Sequence, residues 1–275
     1  MADVIVFGLS GPSCSGKTAI SLLLAKLFPR SAVVHQDDFY SPDSQIPLHP
    51  TARVQDWDSP ASFDMQALVR AIHTTRAMMA RAAEVGQGDA SAGGREDHSA
   101  SQWANPPEDV DRLVAPAAIA SIRSDMLRSL GVGATGDIPF SIVLVDGILL
   151  FHDSADTGAS PGAMCDAGAL VFAQRDTLRQ RREARGAYAT KEGFWVDPPG
   201  YFDAVVWPNF VQYHHSLIAA FPQMTGGPAA AADADPQPQH WAGNVAVCSS
   251  DSPAEDSLRA CVDSIVGAWH ACQKH

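Results

Sequence analysis

Eight consecutive residues, Gly11-Pro12-Ser13-Cys14-Ser15-Gly16-Lys17-Thr18, keep the spacing G-x-x-x-x-G-K-[ST]. The chemistry of that pattern is holding phosphate. Its glycines let backbone N–H groups approach phosphate oxygens, and a helix that opens there adds partial positive charge. Lys17 is expected to reach the outer phosphates and the Thr18 hydroxyl to hold Mg²⁺. A chance glycine turn would carry the same letters without the same flanks. Here Val4-Ile5-Val6-Phe7 reads as a buried strand ahead of the loop. Behind it Ile20, Leu23, Leu24 and Leu27 recur at helical spacing, and Pro29 closes the segment. Strand, glycine loop and helix in that order predict a nucleoside triphosphate site, with ATP and Mg²⁺ as the expected cofactors.

Acidic residues at strand ends are the next candidates, because in such folds ligands sit beyond the carboxyl ends of the strands. Asp37 and Asp38 follow an expected strand at 32–35, and Asp146 follows Ile142–Val145. Asp146 stands where phosphate-loop proteins carry a carboxylate that holds Mg²⁺, usually through water. Each could instead be a turn or cap residue. The neighbouring phosphate loop weights Asp37 and Asp146 toward function.

Five of the 19 basic residues lie between Arg175 and Arg185. On a helix Arg175, Arg179 and Arg182 share one face, and Arg181 and Arg185 lie together. Such crowding fits a lid that closes over ATP and stabilises charge during phosphoryl transfer; a solvated face is the alternative. The aromatic and proline-rich stretch that follows, Trp195 to Pro208, suits rigid turns facing a ligand, and packing beneath the lid explains it equally well.

These groups need a scaffold. Met65, Leu68, Val69, Ile72 and Met79 mark one helix, and Ile119, Ile122, Met126 and Leu130 another. Strands are expected at 169–172 and 245–248, the last before a helix with Ser252, Pro253 and Glu255 at N-cap, N1 and capping-box positions. Strand and helix alternate, which predicts an α/β fold of three layers, α/β/α, on a central parallel sheet. Segments near 84–111, 152–164 and 223–240 are rich in Gly, Ser, Ala, Asp and Pro without periodicity. They read as surface insertions or disordered loops in a single domain of 275 residues.

Composition narrows the partners. A net charge of −12 argues against a general nucleic-acid or anionic-membrane surface, and the most apolar stretch is too short to span a bilayer. Five cysteines without a CxxC pair suggest reduced thiols in a cytoplasmic or nuclear setting, and a strand near residue 4 leaves no room for a targeting peptide. Ten histidines show no zinc-ligand spacing. A monomer or weak homo-oligomer acting on a small molecule is expected.

Taken in order, GLSGPSCSGKT, HQDDFY, DWD, VDGILLF, RQRREAR and DPPGYFDAVVWP resemble the nicotinamide riboside kinases, and more widely the uridine/cytidine kinases. The resemblance runs across most of the core and fails over the insertions. It implies phosphorylation of a ribose 5′-hydroxyl, with Asp37 as the base that also lies near Mg²⁺. The QDDF stretch with Asp38, Phe39 and Tyr40 would line the nucleoside pocket. Trp57 would stack on the base, and Asp58 would accept from the ribose hydroxyls. Arg182 matches a substrate-side lid arginine, Arg181 and Arg185 ATP-side ones, and Tyr188 a lid tyrosine. Asp146 replaces the glutamate of many relatives, and Ala19 follows Thr18 where a second hydroxyl is common. A uridine/cytidine kinase is the nearest rival. A P-loop ATPase or switch is a more distant one, and no Asn-Lys-x-Asp guanine signature is present.

Overall fold

The computed structural model describes residues 4–84, 110–133, 136–153, 160–226 and 244–274. Among them, five strands form one sheet in the order β2-β3-β1-β4-β7, every pair parallel. These are β1 (Val4–Ser10), β2 (Ser31–His35), β3 (Ser141–Gly147), β4 (Ala167–Phe172) and β7 (Asn244–Ser249). Side chains alternate across the sheet, so β1 sends Ile5, Phe7 and Leu9 into one core and Val4 and Val6 into the other. Both faces are covered, and that is why β1 and β3 read as unbroken apolar runs. One layer comprises α1 (Lys17–Leu27), α3 (Pro116–Ser129) and α7 (Ala254–Cys272), the other α2 (Met65–Glu84) with α5 (Trp207–Tyr213) and α6 (His215–Ala220). Three layers, α/β/α, are what the alternation predicts.

The chain leaves β1 for β2 on one side, and later strands β4 and β7 build out on the other. The carboxyl end of β1 is therefore the switch point of the sheet, where a crevice opens. The phosphate loop turns there under steric compulsion. Gly11 has φ +141, and a Cβ on it would lie 1.9 Å from the Val171 carbonyl oxygen of β4. Gly11→Ala is expected to cost about 2 kcal/mol or more, measured as a lower urea midpoint, with ATP affinity lost alongside.

Several local expectations need correction. No capping box opens α7: Pro253 occupies the cap position, and the Ser252 N–H that a Glu255 side chain would have to reach is bound to the Ser249 carbonyl at 3.2 Å. Glu255 pairs instead with Arg259, 3.6 Å away. Asp146 belongs to β3 rather than following it. The stretch read as rigid turns holds one, at 198–201, where the Tyr201 N–H reaches the Pro198 carbonyl at 3.0 Å and Gly200 has φ +79; from Phe202 it is helical, a π-helical turn at Phe202–Val206 leading into α5. Its Tyr201, Phe202, Val205 and Val206 pack around Trp57 and Leu178, and that cluster draws the segment into a helix. Before it, β5 (Ala187–Ala189) and β6 (Phe194–Val196) pair as an antiparallel hairpin.

The edges of the expected insertions are also less superficial than their composition suggests. Val110, His152, Pro161, Gly162 and Met224 are buried. Within those segments, residues 85–109, 154–159 and 227–240 lie outside the described residues. Among the described residues no helix is long and apolar enough to cross a membrane.

Candidate active site

A cleft of about 320 Å³ opens at the switch point, between the phosphate loop, the ends of β2 and β3, and the β5–β6 hairpin. Gly16, at φ +95, turns the loop into α1, whose first turn has no side-chain cap. Its opening amides are oriented as an anion site requires. Ser13, Cys14, Gly16, Lys17, Thr18 and Ala19 line the cleft, while Gly11, Pro12 and Ser15 back the loop. Lys17 Nζ donates to the Pro12 carbonyl at 2.9 Å. Burial lowers the lysine's pKa, opposed by the carboxylates of Asp37 and Asp146 facing it.

The acids are set by register. His35 pairs with Asp146 across β2 and β3, and the two side chains meet at 2.7 Å, Nδ1 to Oδ1. Burial works against a charge on His35. The Asp146 carboxylate, with Asp38 and Asp37 beyond it, overcomes that and holds the imidazole up at about 9. Asp146 Oδ2 is buried with no hydrogen-bond partner among the described residues. A 3-10 turn, Gln36–Phe39, then splits the QDDF motif. Gln36 points inward, its Oε1 accepting from the Leu149 N–H at 3.0 Å, while Asp37 faces the cleft. Burial and then the Asp146 carboxylate push the Asp37 pKa up, against the pull of Lys17 and His35. Phe39 packs on the α2-side core, and neither Asp38 nor Phe39 lines the cleft.

At the other end stand aromatic rings. Tyr40 stacks on Phe63 with centroids 4.0 Å apart and meets Trp57 edge-on at 5.5 Å. Trp195 lies 5.7 Å from Trp57 and 5.5 Å from Tyr201. The Tyr201 hydroxyl receives the Trp57 backbone N–H at 3.0 Å and donates to the Gln55 carbonyl at 3.0 Å. Asp58 is anchored through its backbone N–H to Asp56 Oδ1 at 3.1 Å, itself bound by Asn209 at 2.7 Å. Burial raises the Asp58 pKa to about 6 despite the nearby Arg182. Asp58 Oδ2 and Trp57 Nε1 are both buried without partners among the described residues.

The arginine-rich helix, α4 (Arg175–Glu183), divides its charges. Arg175 and Arg179 do not reach the cleft; Asp203 holds them at 2.6 and 3.3 Å on the outer surface. Arg182 shares the face of Arg175 and Arg179 but lies one to two turns farther along the helix, where it turns into the cleft; Arg181 lies on a different face, and Arg185 follows beyond the helix end. Arg181 donates to Ser250 Oγ at 2.7 Å and to the Ser250 carbonyl at 2.9 Å, beside the loop. Arg185 stacks over Tyr188 at 5.1 Å. Arg182 is buried between Asp197, at 2.7 Å, and Asp58, at 3.4 Å.

Sequence reasoning missed several residues of this cleft. Thr190 and Lys191 line it from the hairpin, and Gly147 and Ile148 from the end of β3; Trp195, which opens the aromatic stretch expected to face a ligand or to pack beneath the lid, lines it too. A period of two sets its direction: Phe194 and Val196 are exposed, and Trp195 between them faces in. His35 carried no signal, since its role comes from strand pairing alone.

No family model matches the chain. Individual relatives do. The nicotinamide riboside kinase of Schizosaccharomyces pombe is 32% identical over 214 residues, covering 78% of this chain and 80% of the relative. Its namesake in Saccharomyces cerevisiae is 31% identical over 78% of this chain and 79% of its own. The chain belongs to the nicotinamide riboside kinase family. Human nicotinamide riboside kinase 2 is more distant, at 23% identity over 78% of this chain and 70% of its own.

The phosphate-loop pattern implies a divalent cation beside the loop. Among the described residues no cluster of three or more His, Cys, Asp or Glu side chains is placed to hold a metal by itself. Mg²⁺ asks for less. It keeps several waters and takes one or two carboxylates together with phosphate oxygens. The partnerless, buried Asp146 Oδ2 and the cleft-lining Thr18 match that demand.

Proposed function

We propose that this chain is a kinase that uses ATP and Mg²⁺ to phosphorylate the ribose 5′-hydroxyl of nicotinamide riboside, giving nicotinamide mononucleotide in pyridine nucleotide salvage. Nicotinic acid riboside is the expected second substrate. The observation that carries this reading is the two-ended cleft: Lys17, Asp37 and Asp146 beside the phosphate loop, and aromatic rings with Asp58 opposite. A nicotinamide ring in its riboside is a cationic pyridinium, and the faces of Tyr40, Trp57 and Trp195 suit it by about 0.5–2 kcal/mol per contact. Asp58 offers a carboxylate to the vicinal hydroxyls. Asp37 takes the 5′-hydroxyl proton, and its raised pKa makes it a better base than an ordinary carboxylate. Lys17 and the loop amides hold the phosphates, while Arg181, Arg182 and Arg185 close over them and Tyr188 packs against the arginines. Bound through Thr18 and Asp146, Mg²⁺ would neutralise charge on the transferring phosphates.

The Asp58 carboxyl, held at about 6, sets an acid limb. Below that pH it is protonated and a poorer acceptor, so kcat/KM for the riboside is expected to fall as pH drops through about 6. The same shift has a stability sign. The folded protein holds this proton more tightly than the unfolded chain, so unliganded stability declines as pH rises through the same window. Rate profiles and melting curves between pH 4 and 8 check both.

Initial rates with nicotinamide riboside, nicotinic acid riboside, uridine and cytidine test the substrate. Preference for the two pyridine ribosides is expected. Preference for the pyrimidines would keep the kinase and refute the substrate.

A further inference from the structure

Asp197 takes part in none of the roles above, yet three hydrogen bonds converge on it. Arg182 donates from Nε to Oδ2 at 2.7 Å and from Nη2 to Oδ1 at 3.1 Å. The Trp195 indole N–H donates to Oδ1 at 2.7 Å. Arg182 spends its remaining nitrogen, Nη1, on Ser13 Oγ at 2.8 Å and Asp58 Oδ1 at 3.4 Å. One carboxylate thus fixes the plane of a guanidinium that touches the phosphate loop and the plane of an indole in the aromatic wall. A two-pronged pairing of this kind sets direction as well as distance.

We propose that Asp197 is a positioning residue that joins Trp195 and Arg182 into one unit, so that a ring seated against Trp195 holds Arg182 in place beside the phosphate loop. This rests on the kinase reading above. The base of the riboside would then contribute to rate and not to affinity alone, because order gained at Trp195 is used at the reacting end. Trp195 supplies the ring face, Asp197 transmits its orientation, and Arg182 touches both Ser13 and Asp58.

Asp197→Asn tests the link with little change of shape. An amide offers one acceptor where the guanidinium fork needs two, and its NH₂ opposes an arginine N–H. The variant is expected to lose about 10- to 100-fold in kcat for nicotinamide riboside, with a change in riboside KM of no more than about threefold. In an Arg182→Lys background, where the fork is already gone, the same change should cost less than about threefold more. A second readout needs no turnover. In ¹⁵N-labelled protein the Trp195 indole and Arg182 Nε–H cross-peaks, identified with Trp195→Phe and Arg182→Lys, should shift together in Asp197→Asn. Should that variant not fold, Trp195→Phe carries the test, since loss of the indole N–H should by itself move the Arg182 cross-peak. Native kcat in Asp197→Asn, equal losses in both backgrounds, or an Arg182 cross-peak indifferent to Trp195 would each overturn the proposal. If the native protein phosphorylates no riboside, the kinase reading fails, and the cross-peaks still judge the pairing.

Discussion

Asp37→Ala is expected to slow phosphoryl transfer to the riboside by about 10²–10⁴-fold while leaving the protein folded and able to bind ATP. The carboxylate sits in the cleft with its pKa raised by burial and by Asp146. That combination is unfavourable for folding, because the ionised form is costly where it stands. Removing it should therefore raise the melting temperature as it removes activity. Opposite movements of stability and rate distinguish a group held for chemistry from one held for packing. Thermal melts and single-turnover rates on one preparation measure both. Equal stability with full activity would remove Asp37 from the reaction.

Arg182→Met should move both quantities downward. The guanidinium is buried and balances Asp58 and Asp197. Burial opposes its charge, and the two carboxylates hold it protonated. Methionine fills much of the volume and leaves Asp58 facing an apolar stem. Breaking a buried pair from one side costs about 3–5 kcal/mol. Loss of the donor that reaches Ser13 of the phosphate loop is expected to add a fall in kcat of about 10²–10³-fold. Denaturant titration and steady-state rates separate the two effects. Asp58→Asn in the Arg182→Met background should recover part of the stability and none of the rate, because it removes the carboxylate left uncompensated and not the missing cation.

The contrast between these two residues reflects what a sequence can carry. Elements with their own periodicity were legible. The strands around Phe7, Val34, Val145 and Leu170 and the helices from Lys17, Met65 and Pro116 fall where alternation and helical spacing place them. The phosphate loop was legible too, because its eight residues are contiguous in sequence and Gly16 is demanded by its own left-handed turn. Asp37, Tyr40, Trp57 and Asp58 stand together in the cleft, as the motifs suggested.

What was not legible depends on contacts between distant segments. His35 meets Asp146 only because β2 and β3 pair in that register. Asp197 gains its arginine only once the β5–β6 hairpin folds back on α4. The five arginines looked alike in sequence. Asp203, 24 residues from Arg179 along the chain, decides that Arg175 and Arg179 face outward. Composition misled at the edges of the low-complexity segments, where a single apolar residue such as Met224 reaches the core. Proline and glycine likewise suggested rigid turns over Trp195 to Pro208; residues 198–201 form such a turn, with Gly200 at φ +79, and beyond it packing around Trp57 winds the chain into a helix.

The most direct measurement is the stoichiometry and identity of the product. The protein is incubated with ATP, Mg²⁺ and nicotinamide riboside, and ADP and phosphorylated riboside are quantified together by ³¹P NMR and mass spectrometry. One nicotinamide 5′-mononucleotide should form for each ADP, with no ADP released when the riboside is omitted. ADP accumulating without phosphorylated riboside, at the same rate with or without it, would contradict the account and leave a phosphate-loop ATPase in its place.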